Sequence, residues 1–230
     1  MDQPAEIDAI IIGAGPAGLF ASFQLGLFGF RSLLIDTLDR PGGQCAALYA
    51  DKPVYDMPGF ASIDAGDIAG RLLEQANAFS PAFRFRCKAT SIQGQAGQGY
   101  AVATDTGDTL LGRMVVVAAG GGAFRAGQDA QSSDPDTVTV EPLAVSALGL
   151  EAADGAIAVD SATFATSMPG VFAIGDACHY PGKVRLILSA FHEAALMAQA
   201  ARRHLSPDGR TPPLYASTSP TLQRRLGVEK

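Results

Sequence analysis

Apolar positions fall into two kinds of order along this chain. Some form short, nearly unbroken runs, which suit strands buried on both faces, and others recur every three or four residues, which suits a helix with one inward face. The runs lie at Ile7 to Ile12, Arg31 to Ile35, Met114 to Ala118 and Val171 to Gly175. They predict strands of a parallel sheet. A stripe at Ile68, Leu72, Ala76 and Phe79 predicts a helix after Asp64, which stands as its N-cap with Asp67 three residues on, close to a capping box. A longer helix is expected from Leu186 to His204, where alanine, leucine and methionine fill the inside. Arg202, Arg203 and His204 then occupy its last turn, where the helix dipole favours cations.

The stretches between these elements are less regular. Phe83 to Cys87 alternates like a short strand, and Ser91 to Gln93, Tyr100 to Thr104 and Thr109 to Leu111 follow between glycine-bearing turns, so an antiparallel meander is expected. Arg40 to Phe60 reads as a long irregular segment, a candidate ligand-facing wall. Arg125 to Asp136 is rich in Gln, Ser, Asp and Pro without apolar periodicity, and predicts a surface linker. Order returns at Ala156 to Val159. The tail from Ser206 holds four prolines and no clear element, so it must dock on something to be ordered.

Candidate chemistry begins at the end of the first run. Gly13-Ala14-Gly15-Pro16-Ala17-Gly18 follows the strand at once and opens an apolar helical segment. In such a loop Gly13 allows the tight turn, Gly15 lets a pyrophosphate approach the backbone, and Gly18 lets helix pack closely on strand. The helix N-terminus, with Pro16 and Ala17 in its first turn, offers free N–H groups to an anion. Asp36 closes the second strand 18 positions after Gly18, about where a carboxylate accepts the ribose hydroxyls of a dinucleotide.

Composition narrows the classes. With 230 residues, 47% of them hydrophobic, the chain can bury a sizeable core in one large or two small domains. A net charge of -6 without a Lys/Arg cluster argues against nucleic acid and acidic membranes as partners. The start, Met1 to Glu6, lacks the charge and apolar core of a signal peptide, and no apolar run approaches the roughly 18 residues of a membrane span, so a cytoplasmic location is expected. Cys45, Cys87 and Cys178 include no CxxC pair, which predicts three separate thiols, with no disulfide framework and no redox dithiol.

Two further motifs complete a constellation with the glycine loop: Gly42-Gly43-Gln44, and Thr166 to Asp176 ending in Ala173-Ile174-Gly175-Asp176. Together they resemble the flavin domain of the thioredoxin reductase group. Within it, Ala47-Leu48-Tyr49, Tyr55 to Phe60 and Tyr180-Pro181-Gly182-Lys183 resemble the ferredoxin (or flavodoxin)-NADP reductases of thioredoxin reductase type. The likeness spans residues 6 to 124 and 150 to 205. It implies an α/β fold with a single Rossmann-like FAD-binding domain, made of residues 1–124 and 150–205, and a small antiparallel meander. It also implies FAD, with its pyrophosphate at Gly13, Gly15, Pro16 and Ala17, its ribose at Asp36 and its adenine near the Ala89 backbone. Gly43 and Gln44 then lie beside the flavin, Tyr49 stacks on one face of it, and Gly175 and Asp176 meet the ribityl chain. The Ile187 N–H points to the flavin O2. A homodimer is implied as well, the tail 206–230 crossing to the partner subunit and laying Tyr215 on the second flavin face.

Departures from the family are equally informative. Its members leave the FAD domain after the strand matching Met114 to Ala118 and build a second Rossmann domain for NADPH. Here roughly 25 residues, 125–149, separate Phe124 from Leu150, and no second glycine loop is present. One βαβ unit alone takes about 30 residues. Cys45 and His192 stand where the family has other residues, and are the candidate catalytic groups. The expected function is transfer of electrons through FAD between external partners, a ferredoxin- or flavodoxin-type redox protein or a small molecule. A flavin oxidase or dehydrogenase acting on a small molecule, a thiol or similar, and a non-catalytic flavin-binding dimer are the alternatives.

Overall fold

The computed structural model describes residues 6–126, 138–206 and 219–228. The chain opens with strand β1 (Ala9–Ile12), helix α1 (Pro16–Leu27) and strand β2 (Ser32–Ile35). Helix α2 (Gly43–Ala47) and the paired two-residue strands β3 (Pro53–Val54) and β4 (Ile63–Asp64) occupy the stretch expected to be irregular. Helix α3 (Ala65–Asn77) leads to β5 (Ala82–Arg84), then to β6 (Ala89–Gln95), β7 (Gly99–Thr104), β8 (Thr109–Gly112) and β9 (Met114–Val117). Strands β10 (Gly122–Ala126) and β11 (Val138–Pro142) precede a 3-10 turn at Val145–Leu148. After β12 (Ala152–Ala153), β13 (Ala156–Ala158) and β14 (Val171–Ala173), a second 3-10 turn (Gly175–Ala177) leads into β15 (Cys178–His179). Helices α4 (Ile187–Leu205) and α5 (Pro220–Arg225) follow.

The central sheet is parallel, in the order β14-β9-β1-β2-β5. β1 and β9, the two middle members, are buried at every position. A strand buried on both faces needs cover on each side, and its alternate side chains supply the contacts. Ile11 points to α1, its Cγ2 beside Gly18, whereas Ile10 points the other way, against Gly112 of β8. Helices α1, α3 and α4 therefore pack on one face and the meander β6-β7-β8 on the other. Strand order reverses between β1 and β9, since the chain runs outward through β2 and β5 before returning to β9. In open α/β sheets that reversal leaves a crevice at the carboxyl ends of the strands, the usual place for a ligand.

Four details differ from the sequence-based expectation. The alternating segment near Phe83 joins the parallel sheet, as β5 beside β2, and is no part of the meander; a three-residue strand has too little pattern to reveal its partner. Asp64 is the N-cap of α3 but makes no side-chain capping bond, and its exposed carboxylate stays in water. The expected linker begins inside an antiparallel ribbon, with Gly122 paired to Pro142 and Ala126 to Val138. The tail contains α5, and Leu226 packs against Phe23 and Leu27 of α1 in the same chain.

Candidate functional site

The cleft grows out of the glycine loop. Gly13 has φ +109, and a Cβ there would land on the Ala118 carbonyl oxygen at the end of β9, so only glycine lets the two strand ends lie so close. A Cβ on Gly18 would strike the Gly13 carbonyl oxygen, which explains how α1 seats directly on the loop. Gly15 is the N-cap of α1 and brings no side-chain cap, and Pro16 begins the helix. The N–H groups of the first turn are thus left for a ligand, with the positive end of the helix dipole behind them. A second glycine pair closes over this loop. The Gly42 N–H donates to the Ala14 carbonyl at 2.8 Å, and a Cβ on Gly43 would come within 2.8 Å of the Gly15 Cα.

Asp36 sits beneath the loop. Its Oδ2 accepts the Ala14 N–H at 2.7 Å and its Oδ1 accepts the Leu38 N–H at 2.9 Å. Burial pushes the carboxyl above its ordinary value, against the lowering effect of its backbone hydrogen bonds. Asp36 therefore braces the loop while still lining the cleft.

Opposite the loop stand Ala118, Ala119 and Gly120 after β9, with Gly122, Ala123 and Leu143 from the ribbon. Gly175, Asp176, Arg185, Leu186 and Ile187 make the far wall. The Gln44 amide nitrogen reaches across, 3.2 Å from where a Gly120 Cβ would lie. The cleft is open to solvent along one side and leaves about 220 Å³ of free space.

Most residues expected around a dinucleotide meet here: Gly13, Gly15, Pro16, Ala17, Asp36, Gly43, Gln44, Ala89, Gly175, Asp176 and Ile187 all line the cleft. Tyr49 does not. It is 46% exposed, with the Lys52 ammonium 5.2 Å from its ring centroid. Tyr215 lies outside the described residues. Cys45 lines the cleft, whereas His192 is exposed on α4 and takes no part in the lining. Burial raises the Cys45 and Cys87 thiols, and Cys178 is pushed up to about 12 by burial and the nearby Glu193 charge. All three are free thiols, held neutral and weakly nucleophilic near pH 7.

Sequence reasoning missed Lys88, which lines the cleft beside Ala89 and pairs with Glu141 of the ribbon at 2.5 Å. It also missed a buried cluster of Lys183, Glu193 and Tyr180 behind Gly175. A signal for Glu193 was present. It falls on the stripe Ala190, Glu193, Ala194, Met197, Ala198, Ala201, all buried, and a charge on an apolar stripe needs a partner. His192, one residue earlier, falls off that stripe. Among the described residues no group of His, Cys, Asp or Glu is arranged to hold a metal, and no helix is long and apolar enough to cross a membrane.

Two family profiles match the chain, one described as NAD(P)-binding Rossmann-like domain over residues 11–76 and one as pyridine nucleotide-disulphide oxidoreductase over residues 67–198. A ferredoxin--NADP reductase of Mesorhizobium japonicum is 32% identical over 334 residues, covering 96% of this chain and 97% of the relative. That of Nitrobacter winogradskyi is 31% identical over 343 residues, covering 99% and 100%. Both alignments exceed the 230 residues of this chain, so at least about a hundred positions of each relative have no counterpart here. Among solved structures, Lactococcus lactis thioredoxin reductase superimposes with a TM-score of 0.70 at 18% identity, over 88% of this chain and 100% of that one. A ferredoxin-flavin thioredoxin reductase from Clostridium acetobutylicum gives 0.70 at 14%, over 90% and 99%. At such identities the likeness establishes the fold.

Proposed function

Because this chain belongs to the pyridine nucleotide-disulphide oxidoreductase family, we propose that it is a FAD-dependent oxidoreductase that relays electrons between external partners without a nicotinamide-binding domain of its own. The observation that carries this reading is the cleft at the β1/β9 reversal, lined together by Gly13, Gly15, Pro16 and Ala17 of the loop, by Asp36 and by Gly175 and Asp176. The residues fit the group. Gly13, Gly15 and Gly43 bring the loop backbones together, since a Cβ at Gly13 or Gly43 would strike the Ala118 carbonyl or the Gly15 Cα, and the first turn of α1 meets an anion with uncapped N–H groups.

In this reading Asp36 takes the adenosine ribose, Ala89 the adenine through its backbone, and Asp176 the ribityl chain. Ile187, at the first position of α4, directs the positive end of that helix toward the flavin O2, where negative charge develops on reduction. FAD when bound supplies the two-electron redox chemistry. Gln44 closes over the reactive end, and the buried thiol of Cys45 adds apolar lining there. In this reading the roughly hundred positions of the relatives without a counterpart here are those of a nicotinamide-binding domain. A donor held by its own domain is kept at reacting distance; a donor from solution is not. Reduction by NADPH is therefore slow and has a high apparent KM, and the efficient partner is a separate redox protein of ferredoxin or flavodoxin type or a small molecule. The protein works as a homodimer.

The test is the absorbance spectrum of the purified protein, then anaerobic mixing with NADPH, NADH, reduced ferredoxin and dithionite. A flavin spectrum with faster reduction by the protein donor supports the proposal. Rapid, saturable NADPH oxidation at micromolar concentration overturns it. A second reading, in which the one loop takes NAD(P)H itself, is favoured by the profile matching residues 11–76. A colourless protein whose nucleotide-binding signal is restored by NADPH but not by FAD would select that reading.

A further inference from the structure

Behind the wall made by Gly175 and Asp176 lies an ion pair that the proposed electron transfer does not use. The Glu193 side chain is 0% exposed and that of Lys183 5%, with the Lys183 ammonium in contact with Glu193 Oε1. Both members reach the same residue. Glu193 Oε2 accepts the Gly175 N–H at 2.6 Å, and Lys183 Nζ donates to the Gly175 carbonyl at 2.9 Å. The Tyr180 hydroxyl donates to Glu193 Oε1 at 2.9 Å. Three separate pieces of the cleft wall are thereby tied together: the strand-end turn at Gly175, the connection carrying Tyr180 and Lys183, and helix α4 itself.

We propose that Lys183 and Glu193 are positioning residues for the cofactor cleft, gripping both backbone polar groups of Gly175 so as to set the strand end bearing Asp176 against the N-terminus of α4. This inference rests on the flavin reading of the cleft. Taking two charges out of water costs several kcal/mol per ion, so such a pair is a poor way merely to strengthen a core. What it provides here is a fixed angle. Gly175 has φ +66, in the left-handed region, and a Cβ on it would stand 3.1 Å from the Ala17 Cβ in the first turn of α1. A small shift of Gly175 therefore moves one cleft wall relative to the phosphate loop. Its N–H and carbonyl are both engaged inward, and the next residue, Asp176, lines the cleft.

Cys178 belongs to the same cluster as a packing element. Its sulfur lies 3.7 Å from Lys183 Nζ and 3.8 Å from Glu193 Oε2, and the thiol stays neutral. The ion pair carries no net charge. Its influence on the flavin is geometric, through the distance between the α4 N-terminus and the ring, and the midpoint potential reads that distance.

Two double variants test this, since neither leaves an unpaired buried charge: Lys183→Met with Glu193→Leu, and Lys183→Met with Glu193→Gln. The readouts are thermal melting, FAD titration by flavin fluorescence, the visible band of bound flavin and its midpoint potential. The leucine pair is expected to bind FAD at least tenfold more weakly, with a displaced band and potential. The glutamine pair keeps an acceptor beneath the Gly175 N–H, and is expected to lose about threefold with a smaller displacement. Unchanged affinity, band and potential in either folded pair overturns the inference, and so does equal loss in both. Absence of flavin from the unmodified protein is a different result: it defeats the functional reading before these variants are made.

Discussion

β1 and β9 lie side by side in the sheet, are apolar and buried throughout, and both run into glycine-bearing loops, yet one opens a helix and the other a ribbon. Spacing decides between them. After β1 the glycines are separated, so that Gly13 turns the chain, Pro16 starts α1 and Gly18 lets that helix seat on the turn. After β9 the glycines Gly120, Gly121 and Gly122 are contiguous, nothing pre-sets a helical start, and the following residues pair with Val138–Pro142. The first loop is also braced from two sides, by Asp36 and by the Gly42 N–H, whereas the second turns through the Gly122 N–H to the Ala119 carbonyl at 3.1 Å and runs straight into its pairing with Pro142. A glycine-rich strand end thus makes an anion cradle only when the helix and the brace accompany it.

Four changes probe this contrast, from the largest expected effect to the smallest. Gly18→Ala drives a methyl into the Gly13 carbonyl, so it should cost about 3 kcal/mol or more and abolish bound flavin; a melt and a cofactor assay check both. Gly122→Ala meets the Glu141 carbonyl at φ +146, which should cost roughly 2 kcal/mol and, because Gly122 lines the cleft outside the phosphate loop, weaken flavin binding without abolishing it. Equal flavin loss in these two variants would erase the distinction between the loops. Asp36 supplies a pH signature of the braced loop. Its folded pKa is raised by burial, so the flavin-free protein binds this proton more tightly than the unfolded chain does. The stabilisation is complete below the unfolded value, near 3.8, and fades as pH rises through the folded one. Acidification from neutral pH should therefore favour the unmodified protein over Asp36→Asn in urea melts. Gly121→Ala, with open space around its Cβ, should change stability by less than about 0.5 kcal/mol.

The same contrast explains what could be read in advance. Ile10, Ile11, Val115 and Val116 signalled their strands because both faces are buried, and Gly13 to Gly18 signalled its loop because each glycine has a separate steric task. Gly122–Ala126 carried no comparable sign. Its partner is Val138–Pro142, and the intervening Gln, Ser and Asp residues obscure a pairing that only the folded chain reveals. The brace by Asp36 was invisible for a related reason: a hydrogen bond to Ala14 across 22 residues depends on how β1 and β2 align. Lys183 and Glu193 were separately visible, but their common attachment to Gly175 is a property of three elements meeting in space.

The ribbon also has a bearing on how such proteins are assembled and altered. Its pairing holds residues 126 and 138 side by side, independently of what is strung between them. β9 and β14 on either side of the excursion are already neighbours in the sheet. Lengthening the link from its present 11 residues by roughly a hundred adds only about 2 kcal/mol of chain-closure entropy, since that term grows with the logarithm of length. The excursion between β9 and β14 can therefore be lengthened or shortened between residues 126 and 138 at small entropic cost, with the strand pairing on either side left as it is.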